Sequence, residues 1–402
     1  MPALANPDSP HSAGPGALFQ LLRNSQPRTR AELAELSGLA RSTIALRVEQ
    51  LLATGLVAPT TAAASSGGRP ASRIGFNPES RIVLGADFGA HHVSAAITDL
   101  GGSILAEEKE ALDIECGPLA AMTWLLTTTG KLLKAAGRNK QDLLGIGIGL
   151  PGPVEFKTGR PNNPPIMPGW DGFDVPGAVQ EQYPVPVLVD NDVNIMAIGE
   201  HSVAYPHDSD LMFVKVATGI GAGIISGGHL QRGAQGTAGD LGHVRVPHGR
   251  DVTCRCGMTG CLEALASGPA ILASLTEQRV IDQPSSDSLT QLIGSGNIAA
   301  IQAVRQAGRD IGQVLATCVS LLNPSTIVLG GGVALTGEHL IAGVREVVYG
   351  RSLPLATENL KIVLSEGKEQ VGIIGASKLV IDHALTTETV NRMVSKNLAH
   401  AG

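Results

Sequence analysis

From residue 81 onward, short apolar runs ending in glycine turns alternate with stretches of helical periodicity, and this alternation restricts the chain to an α/β fold. IVLGADFG at 82–89 is a buried strand entering a turn, and VSAAITDL at 93–100 is a second strand. A helix runs through MTWLLTTTGKLLKAAG at 122–137. GIGIGLPG (145–152), PVLVDND (186–192) and MFVKVATGIGAGII (212–225) follow as further strands. A long helix around 303–322 then leads to STIVLGGGV at 325–333. The chain has 402 residues, enough for two to three units of about 100–200 residues each. No apolar run reaches the ~18–20 residues that span a bilayer. The first residues lack a charged region followed by an apolar core, so the default compartment is the cytoplasm.

The N-terminal portion reads differently. Residues 1–16, rich in Pro, Gly and Ser, are expected to form a disordered tail. Between 17 and 58, Leu18, Leu21 and Leu22 form one helical stripe, Leu33 and Leu36 a second, and Ile44, Val48, Leu51 and Leu52 a third. Thr29 with Glu32 is a capping box that starts the second helix, and Ser37-Gly38-Leu39 ends it. A third helix begins near Arg41. Three short helices with a glycine turn before the third make a helix-turn-helix over 17–78. Arg41, Ser42, Thr43, Ala45 and Arg47 then fall on the exposed start of the recognition helix, where Arg can grip guanine and Ser or Thr a base edge or phosphate. Leu56-Val57 opens a wing, and Gly67-Gly68-Arg69-Pro70 could place Arg69 in a minor groove. Charge agrees with a nucleic-acid-reading end. Residues 1–82 hold eight Arg and no Lys against five acids, while the whole chain carries −6.

Three of the five cysteines, Cys254, Cys256 and Cys261, crowd into one glycine-rich loop. In a reducing compartment that reads as metal binding before disulfides. Zinc takes four tetrahedral ligands, and His243, close upstream, completes a Cys3His set. Asn191 and Asp192 emerge at the end of the apolar strand PVPVLV, where open α/β sheets place their ligands.

The stretch TGIGAGIISGGHLQRGAQGTAGDLGH at 218–243 resembles the signature of the ROK family of repressors, open reading frames and kinases, through Gly219, Gly221, Gly223, Gly233, Gly242 and His243. DFG at 87–89, GIGLPGPV at 147–154, DNDVN at 190–194, CRCGMTGCLE at 254–263 and LGGG at 329–332 extend the resemblance over roughly residues 80–380. With the preceding helix-turn-helix, the chain looks like the family's repressor branch, which includes xylose and N-acetylglucosamine repressors.

The resemblance implies an actin-like, ribonuclease-H-like domain over 79–402, in two lobes parting near residue 200, with a cleft between them and a C-terminal helix returning to the first lobe. It implies structural zinc on His243, Cys254, Cys256 and Cys261, and a homodimer or homotetramer. It also implies a sugar or phosphosugar effector held by Asn191, Asp192, Asp240, His243 and Glu263. Asp192 matches the kinases' general base, and Asp240 stands one methylene short of the family's Glu. Of the first phosphate loop, Asp87 and Gly89 survive, but Ala90, His91 and His92 replace the family's pattern. Thr218, Gly219 and Gly221 retain the second loop. A damaged phosphate site beside an intact sugar site fits a non-enzymatic sensor that binds operator DNA. The alternative is an ATP-dependent sugar kinase with an accessory N-terminal domain.

Overall fold

The structure, a computed structural model, describes residues 14–23, 26–60, 72–249, 251–285, 287–367 and 370–401. The N-terminal unit contains α1 (Pro15–Arg23), β1 (Arg28–Thr29), α2 (Arg30–Ser37), α3 (Arg41–Thr54), β2 (Val57–Thr60) and β3 (Arg73–Phe76). Its three strands form an antiparallel sheet in the order β1-β3-β2, giving a winged helix-turn-helix. α1 begins at Pro15, inside the expected tail. The capping box between Thr29 and Glu32 starts α2, and Gly38 at φ 68° turns the chain toward α3. Leu36 departs from the expected stripe and is 53% exposed. The inner face of α2 runs through Leu33, Ala34 and Ser37, which leaves Leu36 on the outer edge. Arg69 and its glycine neighbours lie outside the described residues.

The first lobe follows with β4 (Ile82–Phe88), β5 (Val93–Asp99), β6 (Ile104–Glu110), α4 (Pro118–Ala135), β7 (Leu143–Leu150), the short pair β8 (Val154–Glu155) and β9 (Arg160–Pro161), α5 (Val175–Gln180), β10 (Val187–Asn191) and α6 (Asp192–Ala204). Its sheet runs β10-β7-β4-β5-β6. β4, β5 and β6 form an antiparallel meander, and β7 and β10 extend it in parallel from β4. β4 and β5 are buried throughout, so they read as continuous apolar runs rather than alternating ones.

The second lobe holds β11 (Leu211–Val216), β12 (Ile220–Ser226), β13 (His229–Gln231), α7 (Leu262–Ala266), α8 (Gly268–Glu277), α9 (Ser288–Gly294), α10 (Ile298–Leu322), β14 (Thr326–Gly330), α11 (Glu338–Arg351), α12 (Pro354–Thr357) and β15 (Lys361–Leu364). Its sheet order, β13-β12-β11-β14-β15, repeats the connectivity of the first: a three-strand meander extended by two parallel strands. The stretch 212–225 is therefore a hairpin of two strands that turns at 217–219.

Two helices join the halves. α13 (Val371–Ala384) lies on β4 and β7, while α6 lies on β11 and β12, and the two helices pack on each other. Their backbones meet at glycines. A Cβ on Gly375 would stand 1.7 Å from the Ile195 carbonyl oxygen, and one on Gly199 would stand 2.0 Å from that of Val371. The last helix, α14 (Thr387–Ala401), packs against α1 and α3. Asn391 accepts a 2.7 Å bond from the Gly16 N–H, Gln20 donates to the Leu385 carbonyl, and Arg23 pairs with Asp382 at 2.6 Å. One apolar cluster runs from Phe19, Leu33 and Val48 in the N-terminal unit through Val83 in the first lobe to Val380, Leu385 and Val394. The N-terminal unit thus shares its core with the first lobe instead of hanging from a linker. Among the described residues no helix is long and apolar enough to cross a membrane.

Candidate ligand cleft and metal centre

The floor of the cleft is the passage from β10 into α6. Asn191 caps the helix: its Oδ1 accepts from the Val193 N–H at 3.0 Å, and its Nδ2 donates to the Gly152 carbonyl at 2.9 Å. Asp192 opens the helix, where the end of the macrodipole favours a carboxylate. It is buried and accepts a 2.5 Å charge-assisted bond from Lys215 Nζ on β11. Asp87, at the end of β4, is also buried. Burial pushes its carboxyl up to about 7; Lys215 opposes that rise and Asp192 adds to it. For Lys215, burial acts downward, but Asp192 and Asp87 reverse it and hold the ammonium above the ordinary lysine range.

Sequence reasoning passed over Lys215. The available signal was a lone charge inside the apolar strand LMFVKV. It also passed over Asp190 and Arg232. Asp190 accepts from the Asn191 N–H and from Asn194 Nδ2, and pairs with Arg232 Nε at 2.7 Å. Arg232 also lies 3.8 Å from the centre of the Phe156 ring. Reaching from beyond β13 to β10 and Phe156, this arginine ties the second lobe to the first.

The stretch read from the sequence as an altered phosphate loop is the turn 89–92 between β4 and β5. Gly89 is buried, and a Cβ there would meet His92 Cε1 at 2.2 Å, so an imidazole covers the one glycine the loop keeps. Ala90 accepts from the Ile114 N–H, and exposed His91 Nδ1 lies 3.3 Å from Asp113. Thr218 and Gly219 form the β11–β12 turn, and Gly221 on β12 faces Val193 of α6.

The same hairpin carries the far wall. Glu263, in the first turn of α7, accepts from the Ile220 N–H at 3.1 Å, and its carboxylate lies against Gly219 and Gly242. His243 follows Gly242. Its Nδ1 stands 3.8 Å from Cys254 Sγ, while its Nε2 points the other way, 3.9 Å from half-exposed Asp240. The ring therefore offers one nitrogen to the sulfurs and the other toward Asp240.

Cys254 and Cys256 sit in a tight hairpin held by the Cys254 N–H on the Met258 carbonyl (2.7 Å) and the Gly257 N–H on the Cys254 carbonyl (3.0 Å). Cys261 caps α7. The ligand atoms of His243, Cys254, Cys256 and Cys261 all lie within 4.8 Å of one another, and the Cys256 and Cys261 sulfurs are 3.7 Å apart. A Zn–S bond of about 2.3 Å implies a tetrahedron edge of about 3.8 Å, so the set fits a four-coordinate metal. Burial pushes the Cys261 thiol up to about 12 and also raises Cys254, whereas a backbone bond involving Met258 lowers Cys256.

In the N-terminal unit Arg41, Ser42 and Ala45 are exposed at the start of α3, with Thr43 and Arg47 half-buried beside them. Arg30 and Arg73 pair with Glu49 and Glu32, but Arg41 and Arg47 form no ion pair among the described residues.

The chain as a whole is similar to known proteins. The xylose repressor of Bacillus subtilis (strain 168) is 29% identical over 379 residues, covering 93% of this chain and 96% of that protein. The crystal structure of a ROK family transcriptional regulator, a homologue of the Escherichia coli MLC protein, superposes with a TM-score of 0.81 at 26% identity, covering 96% of this chain and 99% of that one. A ROK hexokinase from Thermus thermophilus superposes with a TM-score of 0.61 at 30% identity, over 74% of this chain and 97% of that one. The ROK family model matches residues 83–383, through both lobes and the joining helices, and the chain belongs to the ROK family.

Proposed function

We propose that this protein is a sugar-responsive transcriptional repressor. It reads operator DNA with α3, holds a sugar in the cleft and carries one structural zinc. The observation that carries the reading is the pair Arg41 and Arg47, which form no ion pair among the described residues, on a unit whose core continues into the lobe bearing Asp87 and Asp192. Guanidinium groups at the start of a recognition helix suit guanine or phosphate. Asp192, Asp240, Glu263, Asn191 and His243 supply the acceptors and donors that vicinal hydroxyls require. The Cys3His set has no open position, which suits a structural ion. The resemblance that spans nearly the whole chain is to transcriptional regulators.

The kinase reading is disfavoured by two contacts. His92 covers Gly89, where backbone would have to approach a phosphate. Lys215 engages Asp192, the position a kinase would use as its base.

A dimer would read two half-sites one or more helical turns apart. Arg41→Ala and Arg47→Ala should each weaken binding to a mapped operator. A base-contacting Arg costs roughly 1–3 kcal/mol and relaxes sequence preference, whereas a phosphate contact weakens all sequences alike. Mobility-shift titrations on cognate and scrambled DNA separate the two, and unchanged binding in both variants would refute the assignment of α3.

A further inference from the structure

Three charged groups meet on the cleft floor from three elements: Asp87 from β4, Asp192 from α6 and Lys215 from β11. Two buried carboxylates facing one space are the usual seat of a divalent cation in phosphoryl transfer. Here that space already holds an ammonium. Lys215 Nζ lies 2.5 Å from Asp192, with the side chains only 17% and 6% exposed. The nearby Arg232 is engaged by Asp190 and Phe156. The remaining charged groups assigned to the cleft, Asp240 and Glu263, are acidic.

We infer that Lys215 is a resident cation standing where a metal-bound phosphate would need its metal, and that it restricts this cleft to uncharged sugars. The ligand half of the inference rests on the sugar-sensor reading above; the cation half does not. A divalent ion entering beside Asp192 meets a fixed positive charge at contact range in a poorly screened site. A phosphorylated sugar brings a dianion among Asp192, Asp240 and Glu263, while the available ammonium is already neutralised. An uncharged diol fits what remains: Asp192 Oδ1 can accept one hydroxyl proton, and Lys215 keeps N–H groups to donate to the neighbouring oxygen.

The first test is Mn2+ titration of the zinc-loaded full chain, followed by electron paramagnetic resonance. Lys215→Met should gain one Mn2+ per chain, bound at least about tenfold tighter than by wild type, because like-charge repulsion is removed. Lys215→Met/Asp192→Asn should lose that site again. Equal Mn2+ affinity in wild type and Lys215→Met would overturn the assignment. The second test needs only wild type, so it decides the ligand half even if Lys215→Met does not fold. Dissociation constants are measured for a panel of pentoses and hexoses and for their monophosphates. The best neutral sugar should bind at least about tenfold tighter than its own phosphate, and a tighter phosphate would overturn the inference. If neither form binds, the sensor reading fails, while the Mn2+ titration still decides the role of Lys215.

Discussion

Replacing Cys256 by Ser should strip the protein of its metal and loosen the wall of the cleft, the largest loss expected from any single side chain here. The hairpin at 253–261 has little packing of its own. Met258, its one long apolar side chain, is 63% exposed, and what is buried beside it is the sulfur of Cys254 and Cys261. Metal bonds must supply the cohesion that apolar burial does not. Structural zinc contributes about 10–16 kcal/mol in isolated finger peptides, comparable to the whole stability margin of about 5–15 kcal/mol of most domains, so losing even part of it is a large loss. The damage would spread along the chain. His243 and Cys261 belong to the set that could hold the metal, and Gly242 and Glu263 stand beside them in the chain, with the Glu263 carboxylate against Gly242. Native protein should contain about one zinc per chain and the variant none. Hydrogen exchange should rise over 244–266, and the melting temperature should fall. A Cys256→Ser protein that keeps stoichiometric zinc would refute the ligand set.

Gly375→Val should be the most damaging change outside the metal site. The α6–α13 contact is backbone against backbone, and a Cβ at 375 would sit 1.7 Å from the Ile195 carbonyl oxygen. The obstacle is part of a helix, so it cannot rotate away as a side chain could. Overpacking a core costs roughly 1–3 kcal/mol, and here the helices must separate along their whole contact, placing the cost at or beyond the upper end. Separation would also strain the strap between β15 and α13. There fully buried Glu200 of α6 accepts from the Ser365 hydroxyl at 2.6 Å and from the N–H groups of Glu366 and Gly367. Urea titration should show a midpoint well below wild type. A variant within about 0.5 kcal/mol of wild type would mean the helices do not pack as described.

Much of this was legible in the sequence because the signals were local. Thr29 and Glu32 are three residues apart, so their capping box could be read directly, and so could the strand of 82–88 and the start of α3. The Cys3His cluster was legible because its three cysteines lie within eight residues of one another and the histidine is close by. What escaped was long-range. Nothing local announces that Asn391 caps the region of Gly16, or that α14 completes the core of the N-terminal unit. The repeated connectivity of the two sheets is carried by strand order, which leaves no periodic trace in the residues. Lys215 was visible as an anomaly, but its meaning depends on Asp192, twenty-three positions away and on another element. Leu36 misled because a stripe of two residues cannot fix which face of a short helix is buried.

The N-terminal unit, the first lobe and the C-terminal helices share one core, so a sugar bound between the lobes should alter DNA affinity. A ligand shifts an equilibrium only by its differential affinity for two states. Sugar held between Asp192 on one side and Glu263 and His243 on the other should favour the closed cleft. Closure would re-aim the reading helices of a dimer away from their half-site spacing. The most direct measurement titrates wild type and Asp192→Asn with operator DNA, without sugar and with a saturating sugar that demonstrably binds wild type. It is paired with sugar titrations in the presence and absence of operator. Sugar should weaken operator binding by wild type, and operator should weaken sugar binding by the same factor. Asp192→Asn should hold operator as wild type does but respond poorly to the sugar. Equal operator affinity of wild type with and without that saturating sugar would contradict the account.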